Sequence, residues 1–135
     1  MVALIGSSAG CGPTSCTLKG CLSGFELEIT PPVALDEPSY VVSLDDMSNA
    51  YSCELPIPGQ CSLGPGSVAT EGNPVTTIRV EYRETPAEVR FTLEGSGGAL
   101  MDELVTVPYQ TVTVDNGDDP DCDVTCRRAD GVRVP

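Results

Sequence analysis

The stretch that decides the fold is Thr76-Thr77-Ile78-Arg79-Val80-Glu81-Tyr82-Arg83-Glu84-Thr85-Pro86-Ala87-Glu88-Val89-Arg90-Phe91-Thr92-Leu93-Glu94. Ile78, Val80 and Tyr82 alternate with Arg79, Glu81 and Arg83. Val89, Phe91 and Leu93 then alternate with Arg90, Thr92 and Glu94. A period of two is the signature of a strand with one buried face, because successive side chains leave opposite sides of the backbone. Glu84 to Ala87 reads as the four-residue loop of a hairpin. That register sets Arg83 against Glu88 and Glu81 against Arg90, two opposite-charge cross-strand pairs worth about 0.2–1 kcal/mol each.

Further strands extend the pattern on both sides. Phe25, Leu27 and Ile29 form one apolar row and Glu26, Glu28 and Thr30 the opposite one, until Pro31-Pro32 ends the run. Tyr40, Val42 and Leu44 form another row. Asp45 to Asn49 is a turn, and Tyr51 to Leu55 is the returning strand. Pro56 to Asn73 reads as a long Gly/Pro/Ser-rich loop pinned by Cys61. Beyond Gly95-Ser96-Gly97-Gly98, strand-like runs cover 100–107 and 109–114, separated by Pro108. Asn116-Gly117 is a turn, and Val132 and Val134 fall on a short final strand. No segment keeps a helical period. The expectation is an all-β chain: one antiparallel immunoglobulin-like or transthyretin-like β-sandwich of about seven or eight short strands, stapled by disulfides. A small barrel has the same sequence pattern.

At 135 residues the chain suits one domain. The expected division is 1–10 as the remnant of an export signal, 11–23 as a Cys/Gly-rich tether or cap, and 24–135 as the sandwich. Seven Lys and Arg against 20 Asp and Glu give a formal charge of -13. Such a chain repels phosphate backbones, so nucleic acid is not an expected partner. With no His in the sequence, a His-based triad or a His-ligated zinc site is excluded.

The seven cysteines are Cys11, Cys16, Cys21, Cys53, Cys61, Cys122 and Cys126. So many in a short chain point to an oxidising compartment. Seven is odd, and Cys11 offers the odd thiol a fate. It follows an uncharged apolar and then small-residue stretch, Met1 to Gly10, and Ala9-Gly10-Cys11 resembles the end of a bacterial lipobox. Ser8 stands where an aliphatic residue is usual, and no basic residue precedes the apolar stretch. Lipidation of Cys11 leaves six cysteines for three disulfides: Cys16, Cys21, Cys53, Cys61, Cys122 and Cys126. Cys53 and Cys61 flank a Pro-Gly turn, and Cys122 and Cys126 flank three residues. Cys16 then pairs with Cys21, or the N-terminus is cross-linked to a later strand. Cys122 and Cys126 are also weighed as a redox pair or as metal ligands, with a structural disulfide preferred.

Two longer segments resemble a known pattern. One is Ser39-Tyr40-Val41-Val42-Ser43-Leu44 followed by Tyr51-Ser52-Cys53-Glu54-Leu55-Pro56. The other is Pro108-Tyr109-Gln110-Thr111-Val112, then Asn116-Gly117, then Cys122-Asp123-Val124-Thr125-Cys126-Arg127. Together they resemble a group of uncharacterised cell-envelope lipoproteins of myxobacteria and related bacteria. The resemblance covers most of the chain from Cys11 onward. It implies an extracytoplasmic location and a sandwich behind a Cys-rich N-terminus, and it carries no catalytic residues.

The acidic clusters are the remaining candidates for chemistry. Asp119, Asp121 and Asp123 have the spacing of the first ligands of a calcium loop, with Asp130 at the twelfth position from Asp119. Val124 stands where that loop needs Gly, and a solvated acidic turn near Arg127 and Arg128 is the plainer reading. Asp36-Glu37 and Asp45-Asp46 are paired carboxylates of the kind glycosidase chemistry uses, but they fall in turns. Tyr51 and Tyr109 are candidates for an exposed aromatic platform. The expected function is therefore an exported, lipid-anchored, non-enzymatic protein of the bacterial envelope, in the outer membrane or periplasm, with no resident cofactor. Its partners are the membrane, through the anchor, and a protein or glycan ligand. The alternatives are a secreted adhesion or ligand-binding module assisted by calcium, and a small carboxylate hydrolase.

Overall fold

The computed structural model describes residues 21–114 and 124–134. Residues 1–10, expected as an export remnant, and Cys11, Cys16, Cys122, Asp119, Asp121 and Asp123 lie outside the described residues. Among the described residues there are ten strands and no helix. They are β1 (Gly24–Ile29), β2 (Ser39–Asp45), β3 (Ala50–Pro56), β4 (Gln60–Leu63), β5 (Gly66–Glu71), β6 (Thr77–Tyr82), β7 (Glu88–Gly95), β8 (Gly98–Thr106), β9 (Gln110–Val114) and β10 (Val124–Val134).

The chain divides into two compact units, one of Met1–Cys21 with Thr111–Cys126 and one of Leu22–Gln110 with Arg127–Pro135. In the first, β9 pairs with the start of β10, the Thr113 and Thr125 hydroxyls meet at 3.5 Å, and Cys21 is bonded to Cys126. The second is sandwich-like. One of its sheets runs β10-β1-β6-β5-β4 and the other β3-β2-β7-β8.

The inward rows of both sheets supply one apolar core. Phe25, Leu27 and Ile29 meet Ile78, Val80 and Tyr82 on neighbouring strands of the first sheet. Val42 and Leu44 meet Leu93 and Phe91 in the second. The strand faces read from period-two alternation are thus the observed ones. Two features of the expected fold are corrected. The described residues already form ten strands rather than seven or eight, and the sheet is not wholly antiparallel, because β10 runs parallel to β1 from Arg128 opposite Gly24 to Val134 opposite Ile29.

The expected hairpin is also corrected. β6 and β7 lie in different sheets, and Glu84 to Ala87 carries the chain from one to the other. Both edges of β6 are already occupied, with five residues paired to β1 and six to β5. Of the charges expected to pair across the hairpin, Arg90 has another partner. Arg79 lies opposite Glu28 and reaches three carboxylates, Glu71 at 2.7 Å, Glu26 at 2.8 Å and Glu28 at 3.3 Å. Arg90 pairs with Asp102 on β8 at 2.7 Å. Alternation says which side chains go inward, and it is satisfied equally by a hairpin and by a crossing between sheets.

Part of the expected 56–73 loop is the hairpin of β4 and β5. Gly64 makes its turn with φ +62, and a Cβ there would run into the Tyr51 ring. Only Leu63 and Val68 of this hairpin point inward and are fully buried, so its apolar row is too short to stand out in the sequence. Cys53 on β3 is bonded to Cys61 on β4 with Cα atoms 6.1 Å apart. This is the pairing read from the Pro-Gly turn, and it joins the edge of one sheet to the edge of the other. The local pairing of Cys126 with Cys122 is corrected, because the Cys126 sulfur is bonded to Cys21, 105 residues away. The N-terminal segment is thus cross-linked to a later strand, the other route left open above.

Candidate functional site

The polar group with the most unusual setting is Asp46, just after β2. It is 6% exposed and is the one buried charged residue of the described chain. The turn that buries it is local. Asp45 Oδ1 accepts the Met47 N–H at 2.8 Å, and Asp46 Oδ1 accepts the N–H groups of Ser48 at 2.9 Å and Asn49 at 2.6 Å. Met47 takes φ 74, a left-handed conformation that this double Asx arrangement holds in place. The other oxygen, Asp46 Oδ2, accepts the Tyr82 hydroxyl at 2.7 Å. Tyr82 ends β6 in the opposite sheet, so this hydrogen bond ties the two sheets together at one end.

Asp46 also lines an open depression of about 640 Å³ together with Met47, Ser48, Glu84, Pro86, Glu88 and Thr106. The Tyr82 hydroxyl, aided by the Asn49 and Ser48 amides and opposed by burial, holds the Asp46 carboxyl below its ordinary value. Burial, with Asp46 beside it, pushes the Tyr82 phenol up. Both carboxylate oxygens are occupied and the group is kept as the anion, the reverse of what a general acid needs. The arrangement anchors a turn.

It also sets a pH dependence. A carboxyl whose folded pKa lies below its unfolded value of about 3.9 stabilises the fold fully above that value. The stabilisation falls as the pH drops through the folded pKa. In urea unfolding, wild type is therefore expected to exceed Asp46→Asn in stability at pH 7 by about 1–3 kcal/mol. The margin shrinks below about pH 4. A margin that is constant from pH 7 to pH 2 would contradict this.

The remaining carboxylates of the expected hydrolase pairs are spent in turns. Asp36 Oδ1 accepts the Tyr40 hydroxyl at 3.4 Å, while that hydroxyl accepts the Asp36 and Glu37 amides. Glu37 Oε1 accepts the Ser96 N–H at 2.9 Å. Asp130 pairs with Arg128 at 2.6 Å, and no group of three metal-ligating side chains occurs among the described residues.

The tyrosines expected on an exposed platform are half-buried and apart. Tyr51 packs toward Tyr82, ring centroids 6.4 Å apart, and Tyr109 donates to the Pro86 carbonyl at 2.7 Å beneath the Arg127 guanidinium. Burial pushes the Tyr109 phenol up to about 12.

The Asp46–Tyr82 pair was not read from the sequence, where Asp45-Asp46 looks like a solvated turn. Its signals were the Asp-Asp-x-x-Asn spacing of a double Asx turn and a tyrosine, with a hydroxyl to satisfy, at the last inward position of β6. No family model matches the chain, and neither a curated protein nor a solved structure matches it.

Proposed function

We propose that this is an exported bacterial envelope protein, anchored through lipid on Cys11, that presents an immunoglobulin-like or transthyretin-like sandwich for binding or assembly and performs no catalysis. The observation that carries the reading is the Cys21–Cys126 bridge, which closes 105 residues of an all-β chain. A second bridge joins the sheet edges at Cys53 and Cys61. Covalent closure on this scale suits an oxidising, extracytoplasmic compartment. The sandwich type is supported by the connection from β6 to β7, which passes between sheets in the manner of Greek-key sandwiches. The non-catalytic part rests on the carboxylates already described, which serve as turn and strand partners. The ligand class is protein or glycan, and a charge of -13 disfavours polyanions.

Anchoring is tested by fractionating the native host. Wild type is expected in the membrane fraction, and Cys11→Ser, which cannot be acylated, is expected in the soluble fraction. Wild type in the soluble fraction would overturn the anchor.

A further inference from the structure

The four edge strands of the two sheets are not equivalent. β3 and β4 are joined to each other by Cys53–Cys61, and β9 is short, with five residues. β8 has nine residues and pairs only with β7 among the described strands. Among the described residues, its other side leaves backbone N–H and C=O groups open to a further strand. A bulge where Leu93 and Glu94 face Met101 and Ala99 breaks the ladder near Gly98, so the regular open stretch is Met101–Thr106.

The inward row of that stretch carries a charge. Met101 faces Leu93, Glu103 faces Phe91 and Val105 faces Val89. Leu93, Phe91 and Val89 are fully buried, and directly paired residues share a face. Glu103 therefore lies on the core side of an edge strand, half-buried between Met101 and Val105. Among the described residues it has no ion-pair partner. The nearby Arg90 lies on the outer face and is held by Asp102. A strand added to β8 would strip water from the Glu103 carboxylate, which is costly unless a cation meets it.

This selects the occupant. Among the described residues, no edge strand of a second copy supplies the cation, because β3, β4, β8 and β9 contain no Lys or Arg. Antiparallel self-pairing that keeps the core faces aligned sets Glu103 against Glu103, Met101 or Val105. We propose that β8 is a docking edge for an extended segment of another protein that carries Lys or Arg opposite Glu103, between two apolar inward residues. Main-chain hydrogen bonds supply the affinity of such strand addition, and alternate side chains supply the selection. The inference rests on the binding reading above and names its partner chemistry. It does not depend on the lipid anchor.

The test uses the purified chain and three blocked peptides. Thr-Val-Thr-Lys-Thr-Val-Thr is compared with analogues carrying Leu or Glu in place of Lys. The Lys peptide is expected to bind at least tenfold tighter than either analogue and to slow amide exchange at Met101–Thr106. Glu103→Gln is expected to erase the preference for Lys over Leu, and Glu103→Leu to turn a monomeric protein into a self-associating one by sedimentation. Equal binding of the Lys and Leu peptides, no exchange protection on β8, or wild type already paired through β8 would overturn the proposal. Because every measurement is made in solution, the outcome is independent of where the protein fractionates in the host. Failure of the anchor and failure of the docking edge are thus separately visible.

Discussion

Replacing both Cys21 and Cys126 with Ser is expected to lower unfolding free energy by about 4–5 kcal/mol. The bridge spans 105 residues, and in the chain-entropy model the cost of leaving a loop unclosed grows with the logarithm of its length. The Cys53–Cys61 bridge spans 8 residues, and the same relation gives about 2.5 kcal/mol for Cys53→Ser with Cys61→Ser. The two double variants therefore differ by roughly a factor of two, with the longer loop costing more. For a domain of this size the larger loss corresponds to about 15–20 °C in Tm. Urea titration of both variants checks the ranking. A larger loss from the short bridge would show that closure of the long loop does not govern stability.

Phe91→Ala is expected to cost about 3–5 kcal/mol. Phe91 is fully buried on β7, opposite Leu44 on β2 and Glu103 on β8. Truncation removes a ring from the core to which both sheets contribute and leaves a cavity that strands on either side cannot collapse to fill. Leu104→Ala, one residue along the neighbouring β8 at 57% exposure, is expected to change stability by less than about 0.5 kcal/mol. Equal losses from the two would mean that the inward and outward faces are misassigned. The comparison is useful because face assignment is the part of the fold that the sequence states most directly.

Faces were legible and partners were not. Phe25, Leu27 and Ile29, then Val42 and Leu44, then Ile78, Val80 and Tyr82 alternate strictly, and each of these rows is buried. A strand has two edges, however, and alternation is the same whichever neighbour occupies them. Glu84 to Ala87 is short enough for a hairpin, yet β6 is flanked by β1 and β5. Arg90, expected opposite Glu81, is held instead by Asp102 on β8, while the neighbouring Arg79 gathers Glu71, Glu26 and Glu28. Complementary charge is common on any polar sheet face and does not fix a register by itself.

The same limit governs the disulfides. Cys53 with Cys61 follows from a local turn and was readable. Cys21 with Cys126 needs the topology, because nothing near either residue in the sequence points to the other. Asp46 was hidden for a different reason. A carboxylate in an Asp-Asp turn reads as solvated, and its burial depends on a tyrosine 36 residues away on another sheet. The edge position of β8 is likewise a property of strand order. Glu103 looks like an outward residue until Phe91 is found opposite it.

The proposed function is that of an exported, lipid-anchored, disulfide-closed envelope protein. Intact mass of the protein from its native host, alkylated before reduction, tests it most directly. The expected product is a chain that begins at Cys11, carries the mass of attached acyl chains and takes up no alkylating agent. A chain that keeps residues before Cys11, lacks acyl mass and is alkylated at several thiols would contradict it.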